Sequence, residues 1–269
     1  MHGSGGGSSF AFGGCVSGHS KWAQIKRKKA AEDQKRGKAF SKLIREIHVA
    51  AREGGGDPDG NPRLRTAIDA ARASNMPKDN IEKAILRGTG QLPGASYQQV
   101  NYEAYGPGGV ALYIETLTDN ANRTVADVRH VLEKYGGRMG AEGSVAWNFE
   151  RRGQIYIDAA RYDEEAAFEA ALEAGADDLA REDGQYTVTT EPTKFHSVQA
   201  ALRERGIEAD GAELAMIPRS TVHVDGKDAE RLVKILEILE ELDDVQHVYS
   251  NLDIDEAVLA ELSAGPTGG

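Results

Sequence analysis

A dense run of cationic side chains lies near the start of the chain. In the segment KWAQIKRKK five of nine residues are basic, namely Lys21, Lys26, Arg27, Lys28 and Lys29. Phosphate contacts from such side chains supply much of a protein's affinity for nucleic acid, because they release counterions. The run therefore predicts phosphate contact, with a merely solubilising surface as the alternative. Trp22, inside the run, is predicted either to anchor a helix or to stack on a base.

The residues around this run extend the cationic surface. Residues 18–52 hold 11 basic and 3 acidic side chains. The other predicted nucleic-acid contacts in this stretch are His19, Lys35, Arg36, Lys38, Lys42 and Arg45. We assign His19 to contact and not to catalysis, because no partner acid is apparent beside it.

The charge of the chain is divided very unevenly. Residues 18–94 hold 17 basic and 9 acidic side chains, whereas residues 95–269 hold 15 and 34, and the whole chain has a net charge of −11. The acidic part repels a polyanion, so it restricts which face of the protein can dock. The charge division therefore predicts contact with nucleic acid or with a ribosome, and a solvated basic surface without a ligand is the alternative.

Motifs for catalysis or metal binding are not apparent in the sequence. The seven histidines show no HExxH spacing, and the single cysteine cannot build a cysteine-based zinc site. The acidic stretch at 240–244 lacks the spacing of a calcium loop and is predicted to be a solvated helix end. We expect a non-enzymatic protein with no cofactor, metal or small-molecule substrate. An enzyme acting on a small ligand is a weak third hypothesis.

A second candidate surface is a glycine-rich loop between two predicted strands. Its residues are Tyr105, Gly106, Pro107, Gly108 and Gly109. The loop lacks the GxxxxGK[ST] and GxGxxG patterns, so a tight turn with positive φ is the simpler interpretation, and a docking loop is the alternative.

The polar residues near position 120 admit two similar interpretations. Asn122 and Arg123 lie where a predicted strand passes into a helix. Asn and Thr side chains there most simply cap the helix, while Arg123 is a candidate for docking on RNA.

Apolar spacing predicts the elements that position these residues. Phe40, Leu43, Ile44, Ile47 and Ala51 follow a helical period, with the basic side chains largely on the other face. Helices are predicted at 21–31, 35–52, after Asn61-Pro62, from Met76-Pro77 to a cap at Gly88, and at 122–135, 163–174, 193–205 and 228–242. Strands are predicted at 100–104, 110–116, 145–149, 155–157, 177–182, 185–190, 213–217, 221–224 and 245–250.

This order of elements predicts an α+β multidomain fold. An N-terminal helical bundle precedes two ferredoxin-like α/β domains, one inserted into the other. The predicted boundaries are 18–94 for the basic helical domain, 95–150 plus 221–262 for the discontinuous α/β domain, and 151–220 for the insert. Residues 1–17 are interpreted as a disordered leader or cloning remnant, and 263–269 as a flexible tail. No apolar run approaches the length of a membrane span, so we expect a soluble protein. The single cysteine favours a reducing compartment, and we expect a cytoplasmic location.

Several motifs in one order carry a family resemblance. They are GHSKW at 18–22, KKAAED at 28–33, GGGDP at 54–58, NPRLR at 61–65, NMP at 75–77, YEAYGPGG at 102–109, TDN at 118–120 and GSVAW at 143–147. From Gly18 to Leu262 the sequence closely resembles the YebC/PmpR family, which includes the mitochondrial translational activator of cytochrome c oxidase.

The resemblance implies both a fold and two functions. It implies three domains, one α/β domain interrupting the other. Members have been labelled probable transcriptional regulators, with DNA binding attributed to some. The family has also been tied to translation, as ribosome-associated factors that relieve stalling at proline-rich stretches. The basic helix is rich in lysine, which suits phosphate contact better than base reading and favours the translation role over the DNA-binding one.

Overall fold

The computed structural model describes residues 36–182, 184–255 and 258. The predicted helix at 21–31, the leader at 1–17 and the tail at 263–269 lie outside them. The chain divides into two compact units. One contains residues 151–215, and the other contains the described residues of 36–150 together with those from 216 onward.

Helices and strands alternate through most of the described chain, in a mixed α+β fold. The α-helices are α1 (Arg36–Gly54), α2 (Pro62–Ala73), α3 (Lys78–Gly88), α4 (Ala121–Lys134), α5 (Glu164–Glu173), α6 (Phe195–Glu204) and α7 (Gly226–Glu241). The strands are β1 (Gln98–Tyr105), β2 (Ala111–Thr118), β3 (Arg138–Met139), β4 (Phe149–Asp158), β5 (Asp178–Glu182), β6 (Gln185–Thr190), β7 (Gly211–Pro218), β8 (Val222–His223), β9 (Val245–Ser250) and β10 (Leu252–Asp253). The predicted α+β class is confirmed.

The first three helices share one apolar core, which includes Ile47, Leu64, Ile68 and Ile81. Asn61 fixes the turn between α1 and α2. Its side-chain oxygen accepts from the Leu64 amide at 3.1 Å, and its side-chain nitrogen donates to two backbone carbonyls at the end of α1. The predicted Asn61 cap is therefore confirmed, and it also orients α1 against α2.

The end of α3 differs from the prediction. Gly88 is not the residue that leaves the helix; it lies in the last turn of α3, and Gly90 has the positive φ of 76°. Gly88 is glycine because α1 passes close to it: a Cβ there would lie 2.4 Å from the backbone oxygen of His48. The glycine allows close helix packing.

The sheet β3-β1-β2-β9 packs with α4 and α7 in a second core. Each neighbouring pair of strands in it is antiparallel. If the elements are read in the order β2, α4, β3, β1, α7 and β9, they follow the β-α-β-β-α-β pattern of a ferredoxin-like domain, and their strands have the same neighbours in the sheet as in that fold. In the chain, however, β1 comes before β2. The sheet therefore has ferredoxin-like neighbours with a permuted chain order.

The unit at 151–215 has a core of its own, containing Ile155, Ala167, Val188 and Val198. Its strands lie in the order β5-β6-β4-β7, and α5 and α6 each join two of them. This is the neighbour order of a β-α-β-β-α-β ferredoxin-like unit.

The strand predicted at 145–149 is wrong. Residues Ala146–Asn148 form a 3-10 turn, and the strand begins at Phe149. From there β4 runs without a break to Asp158, through the Arg151-Arg152-Gly153 segment that separated two predicted strands. A short parallel pair, β8 with β10, was also not predicted as a separate sheet. None of the helices in the described part of the chain has the length and apolar character needed to cross a membrane.

Candidate nucleic-acid interface

Most of the predicted nucleic-acid contacts lie outside the described residues. These are His19, Lys21, Trp22, Lys26, Arg27, Lys28, Lys29 and Lys35. Arg36 begins α1. The residues of this set whose side chains are described are Lys38, Lys42 and Arg45, all on α1.

The three α1 cations lie on one helical face and contact the end of α7. The Lys38 Nζ donates to the Glu241 carbonyl at 3.3 Å, and the Lys42 Nζ donates to the Glu240 carbonyl at 2.8 Å. The last carbonyls of a helix have no partner within it, and they carry its partial negative charge. The basic face of α1 therefore caps α7.

Arg45 continues this face one turn further along α1. Its Nη2 lies 3.3 Å from the Asp244 Oδ1, and its side chain is only 13% exposed. The Arg45 guanidinium also lies over the Tyr97 ring, 5.3 Å from the centroid. Arg45 therefore links the helical bundle to the part of the protein built on the sheet β3-β1-β2-β9. Its charge is largely compensated by Asp244 within the protein.

Asp244 is the residue around which this region is built. Its side chain is 8% exposed, and its Oδ2 accepts from the Thr124 hydroxyl at 2.7 Å and from Arg123 at 2.6 Å. Burial raises the pKa of Asp244, but the hydrogen bonds from Arg123 and Thr124 and the charge of Arg45 outweigh burial and hold the pKa below its usual value. The prediction of a solvated acidic helix end is wrong for this residue.

Arg123 belongs to the same cluster. It pairs with Asp119 at 2.8 Å and with Asp244, and hydrogen bonds to these carboxylates raise its pKa. Asn120 caps α4, since its side-chain oxygen accepts from the Arg123 amide at 3.1 Å. The predicted capping role is confirmed for Asn120. Asn122 is exposed on the first turn of α4.

An open cleft of about 510 Å³ lies beside this cluster. It is lined by both signs of charge, with Lys38, Arg45 and Arg123 facing Asp119, Asp127 and Asp243. A site for a polyanion requires an excess of positive charge. The described part of α1 does not supply that excess here, because acidic groups surround its cations.

The glycine-rich loop is a tight turn, as the simpler interpretation predicts. Gly108 and Gly109 have φ of 69° and 80°. Gly106 and Gly108 are also packed closely: a Cβ at these positions would lie 2.6 Å from Leu232 and 2.4 Å from Val224. Both residues are therefore required for packing whether or not the loop docks on a partner.

The two candidate docking elements lie far apart. Tyr105 to Gly109 precede β2, and Asn122 and Arg123 follow it. An eight-residue strand such as β2 spans roughly 26 Å at about 3.3 Å per residue. The structure therefore brings Arg123 together with Lys38, Lys42 and Arg45, but it does not bring the glycine loop to the same place.

Two residues that were not predicted to belong to a site stand out in the structure. Asp244 is one, and its role depends on partners over a hundred positions away. The other is Trp147, which is 67% exposed although it is a large aromatic residue. Over the described ranges, no group of three or more His, Cys, Asp or Glu side chains is arranged to hold a metal ion.

Two family models match this chain. One, described as the TACO1/YebC protein N-terminal domain, matches residues 20–91, and the other, described as the TACO1/YebC second and third domain, matches residues 97–252. Proteins named "probable transcriptional regulatory protein" in Citrifermentans bemidjiense and Geobacter sulfurreducens are 52% and 53% identical to it. Each alignment spans 247 residues, 92% of this chain and 100% of the relative.

A solved structure also resembles this chain. The crystal structure of a conserved hypothetical protein from Aquifex aeolicus matches with a TM-score of 0.80 and 48% sequence identity, covering 87% of this chain and 97% of that one. The matched relatives are named as regulators and not as enzymes. The resemblance that the motifs predict is confirmed, and the chain belongs to the TACO1/YebC family.

Proposed function

We propose that this protein is a cytoplasmic, ribosome-associated translation factor that relieves stalling at proline-rich stretches. Its basic N-terminal domain contacts ribosomal or transfer RNA, and no side chain of the protein acts as a catalyst. The observation that carries the proposal is the charge division, with 11 basic and 3 acidic residues in 18–52 of a chain whose net charge is −11. Such a segment gains affinity for RNA by releasing counterions.

The described contacts of α1 sharpen this proposal. Lys38, Lys42 and Arg45 contact the α7 end and Asp244, so they serve mainly to hold the helical bundle on the α/β sheet. Of the predicted contacts, those left to bind RNA are therefore Arg36 and the residues before it, with the five cations at 21–29 as the main contacts. Any effect on rate arises from orienting substrates already bound to the ribosome.

The proposal includes a three-domain arrangement. The helical domain at 18–94 and the discontinuous α/β domain at 95–150 plus 221–262 carry an inserted domain at 151–220. Separate apolar cores for the three parts support this arrangement, as does the division of the chain near 150 and 216.

The second candidate is a DNA-binding transcriptional regulator that uses the same basic segment. The names of the relatives favour it, since they are called probable transcriptional regulatory proteins. A regulator that reads sequence needs Arg, Asn or Gln side chains at base edges. The run KWAQIKRKK is dominated by lysine, which suits phosphate contact better.

Sedimentation of ribosomes separates the two candidates. Cell lysate containing the tagged full chain is run through a sucrose gradient at moderate salt. The test variant carries Lys26→Glu, Arg27→Glu, Lys28→Glu and Lys29→Glu. The control variant makes the same total change of charge at four exposed cations elsewhere, by Arg129→Glu, Lys134→Glu, Arg203→Glu and Lys227→Glu.

We expect the wild type and the control variant to sediment with ribosomes and the test variant to stay at the top. The affinity of the purified test variant for ribosomes should also depend less on salt than that of the wild type. The slope of log affinity against log salt concentration should fall by about one for each phosphate contact removed. Sedimentation of the test variant like the wild type would overturn the proposal. Wild-type protein that stays at the top of the gradient, yet shifts one promoter fragment with strong preference, would establish the DNA-binding alternative.

A further inference from the structure

The loop from 140 to 148 is held rigidly by one buried glutamate. The Glu103 Oε1 accepts from the Gly143 amide at 2.6 Å, and its Oε2 accepts from the Val145 and Ala146 amides at 2.6 and 2.8 Å. Burial raises the pKa of Glu103, but these hydrogen bonds outweigh it and hold the pKa below its usual value. The carboxylate is therefore charged at neutral pH, and it fixes the backbone on both sides of Ser144.

This rigid loop presents Trp147 to solvent. Trp147 is 67% exposed, and its indole Nε1 donates to the Ser144 carbonyl at 2.9 Å. That bond ties the polar edge of the ring to its own loop, so the ring is oriented while its apolar surface stays accessible. A large aromatic side chain at a partner-binding surface loses little conformational entropy when it is held in this way.

A second aromatic ring, Tyr105, shares a hydrogen-bond acceptor with Trp147, and a cation lies over that ring. The Tyr105 hydroxyl donates at 3.0 Å to the same Ser144 carbonyl that accepts from Trp147. The Arg138 guanidinium lies over the Tyr105 ring, 4.9 Å from its centroid. Arg138 is exposed, and within the described ranges it makes no ion pair with a carboxylate. Its charge is therefore available to an anionic group that approaches Trp147.

We propose that Trp147 and Arg138 form a second RNA site, in which the indole stacks on an unpaired nucleobase and the guanidinium contacts the neighbouring phosphate. A nucleotide presents these two groups together, a flat aromatic base and an adjacent anion. The base must be unpaired, because bases within a duplex are stacked on their neighbours. The inference rests on the proposed function and extends it to a site outside the basic N-terminal segment.

A proline-rich peptide is the competing occupant, since prolines also dock on aromatic side chains. Such recognition uses grooves lined by several aromatic rings. It gives no role to the Arg138 guanidinium, and this positive charge over the Tyr105 ring therefore favours the nucleotide.

The test measures binding of single-stranded RNA to the full chain. A dye-labelled adenosine oligonucleotide of about 12 residues is titrated, and a duplex with the matching uridine strand serves as the paired form. Binding is followed by anisotropy for the wild type, Trp147→Ala, Trp147→Phe and Arg138→Gln. Phe168→Ala is the control, because Phe168 is another exposed aromatic residue, in the unit at 151–215.

We expect Trp147→Ala to weaken binding of the single strand by about tenfold, the value of one stacked base. Trp147→Phe should recover most of that loss, and Arg138→Gln should lower the salt slope by about one. The Phe168→Ala variant should bind like the wild type. The chain has two tryptophans, so in the Trp22→Phe protein the tryptophan fluorescence comes from Trp147 alone. This fluorescence should be quenched by the single strand and much less by the duplex.

Two results would overturn the inference. One is an unchanged affinity in both Trp147→Ala and Arg138→Gln, with no quenching of Trp147. The other is quenching of Trp147 by a proline-rich peptide but not by the oligonucleotide. The N-terminal charge variant separates this failure from failure of the proposed function: if it loses ribosomes while Trp147→Ala binds RNA normally, the basic segment binds RNA and Trp147 does not.

Discussion

Asp244 shows how much one buried carboxylate can organise. It lies between α7 and β9, and it contacts Arg45 of α1 together with Thr124 and Arg123 of α4. Isolated surface ion pairs contribute little to stability. This carboxylate differs because it is buried and because its partners come from the helical bundle and from the α/β sheet. It is therefore a structural link between these two parts.

We predict that Asp244→Ala destabilises the protein by about 3 kcal/mol, because Arg45 and Thr124 are left with buried polar groups that lack a partner. Urea denaturation followed by circular dichroism measures the change. The matched control is Asp243→Ala, which removes a neighbouring carboxylate that is exposed and should cost less than about 0.5 kcal/mol. Equal effects of the two substitutions would contradict the role assigned to Asp244.

The role of Asp244 could not be predicted from the sequence. Its hydrogen-bonding partners Thr124 and Arg123 lie 120 and 121 positions earlier. In the sequence it is one of four acidic residues at 240–244, around the end of α7, and nothing local distinguishes it from Asp243. The Asn120 cap was predictable, because a cap depends only on residues within one turn.

At the scale of elements, apolar periodicity predicted the described helices well. The stripe from Phe40 to Ala51 is a property of α1 itself, and its core partners are mostly the nearby α2 and α3. The prediction failed at 145–149, where the alternation of Val145 and Trp147 resembles a strand. That segment turns because its amides bind Glu103, a residue more than forty positions away.

The packing of α1 on α3 gives a prediction about helical glycines. We expect Gly88→Ala to destabilise the protein by about 1–3 kcal/mol, since its Cβ would meet the His48 backbone. Gly37→Ala in α1 is the matched control. Nothing lies within 4 Å of a Cβ there, so alanine should stabilise the helix by up to about 1 kcal/mol. Thermal unfolding of both variants tests the pair, and a stabilising Gly88→Ala would contradict the close approach.

At the scale of the whole molecule, the uneven distribution of charge could be predicted from composition. Which of the basic side chains contact a partner, and which contact the protein itself, could not. Counting residues predicts a basic region in 18–52. The count cannot tell a cation that faces solvent from one that caps a helix of the same protein, as Lys42 does on α7. That distinction depends on how α1 packs against α7, which is fixed by tertiary contacts.

Stability should fall in two steps as the pH decreases. Burial, assisted by Arg52 and Arg87, holds the pKa of His48 below its usual 6.5, so the unfolded chain takes up a proton first and stability is lost below that pH. The pKa values of Glu103 and Asp244 are also lowered, from 4.5 and 3.8. Their contribution is complete above those values and is lost as the pH falls through the lower folded-state values.

Melting temperatures measured from about pH 8 to about pH 3 test this order. His48→Gln should remove the upper step and leave the lower one, and Glu103→Gln should reduce only the lower step. A wild-type melting temperature that stays constant between about pH 7 and about pH 5 would show that His48 titrates alike in the folded and unfolded chains.

The pairing of Asn148 with Ser220 has a consequence for chain entropy. The Asn148 side chain accepts from the Ser220 amide at 3.0 Å and donates to its carbonyl at 3.0 Å, across a separation of 72 positions. Closing an unstructured loop of that length costs about 4 kcal/mol. Because β4 and β7 are neighbours in one sheet, the folded segment between them already holds its own ends together. Unfolding that segment alone would therefore add this entropy cost to the pairing of Asn148 with Ser220 without itself breaking either hydrogen bond.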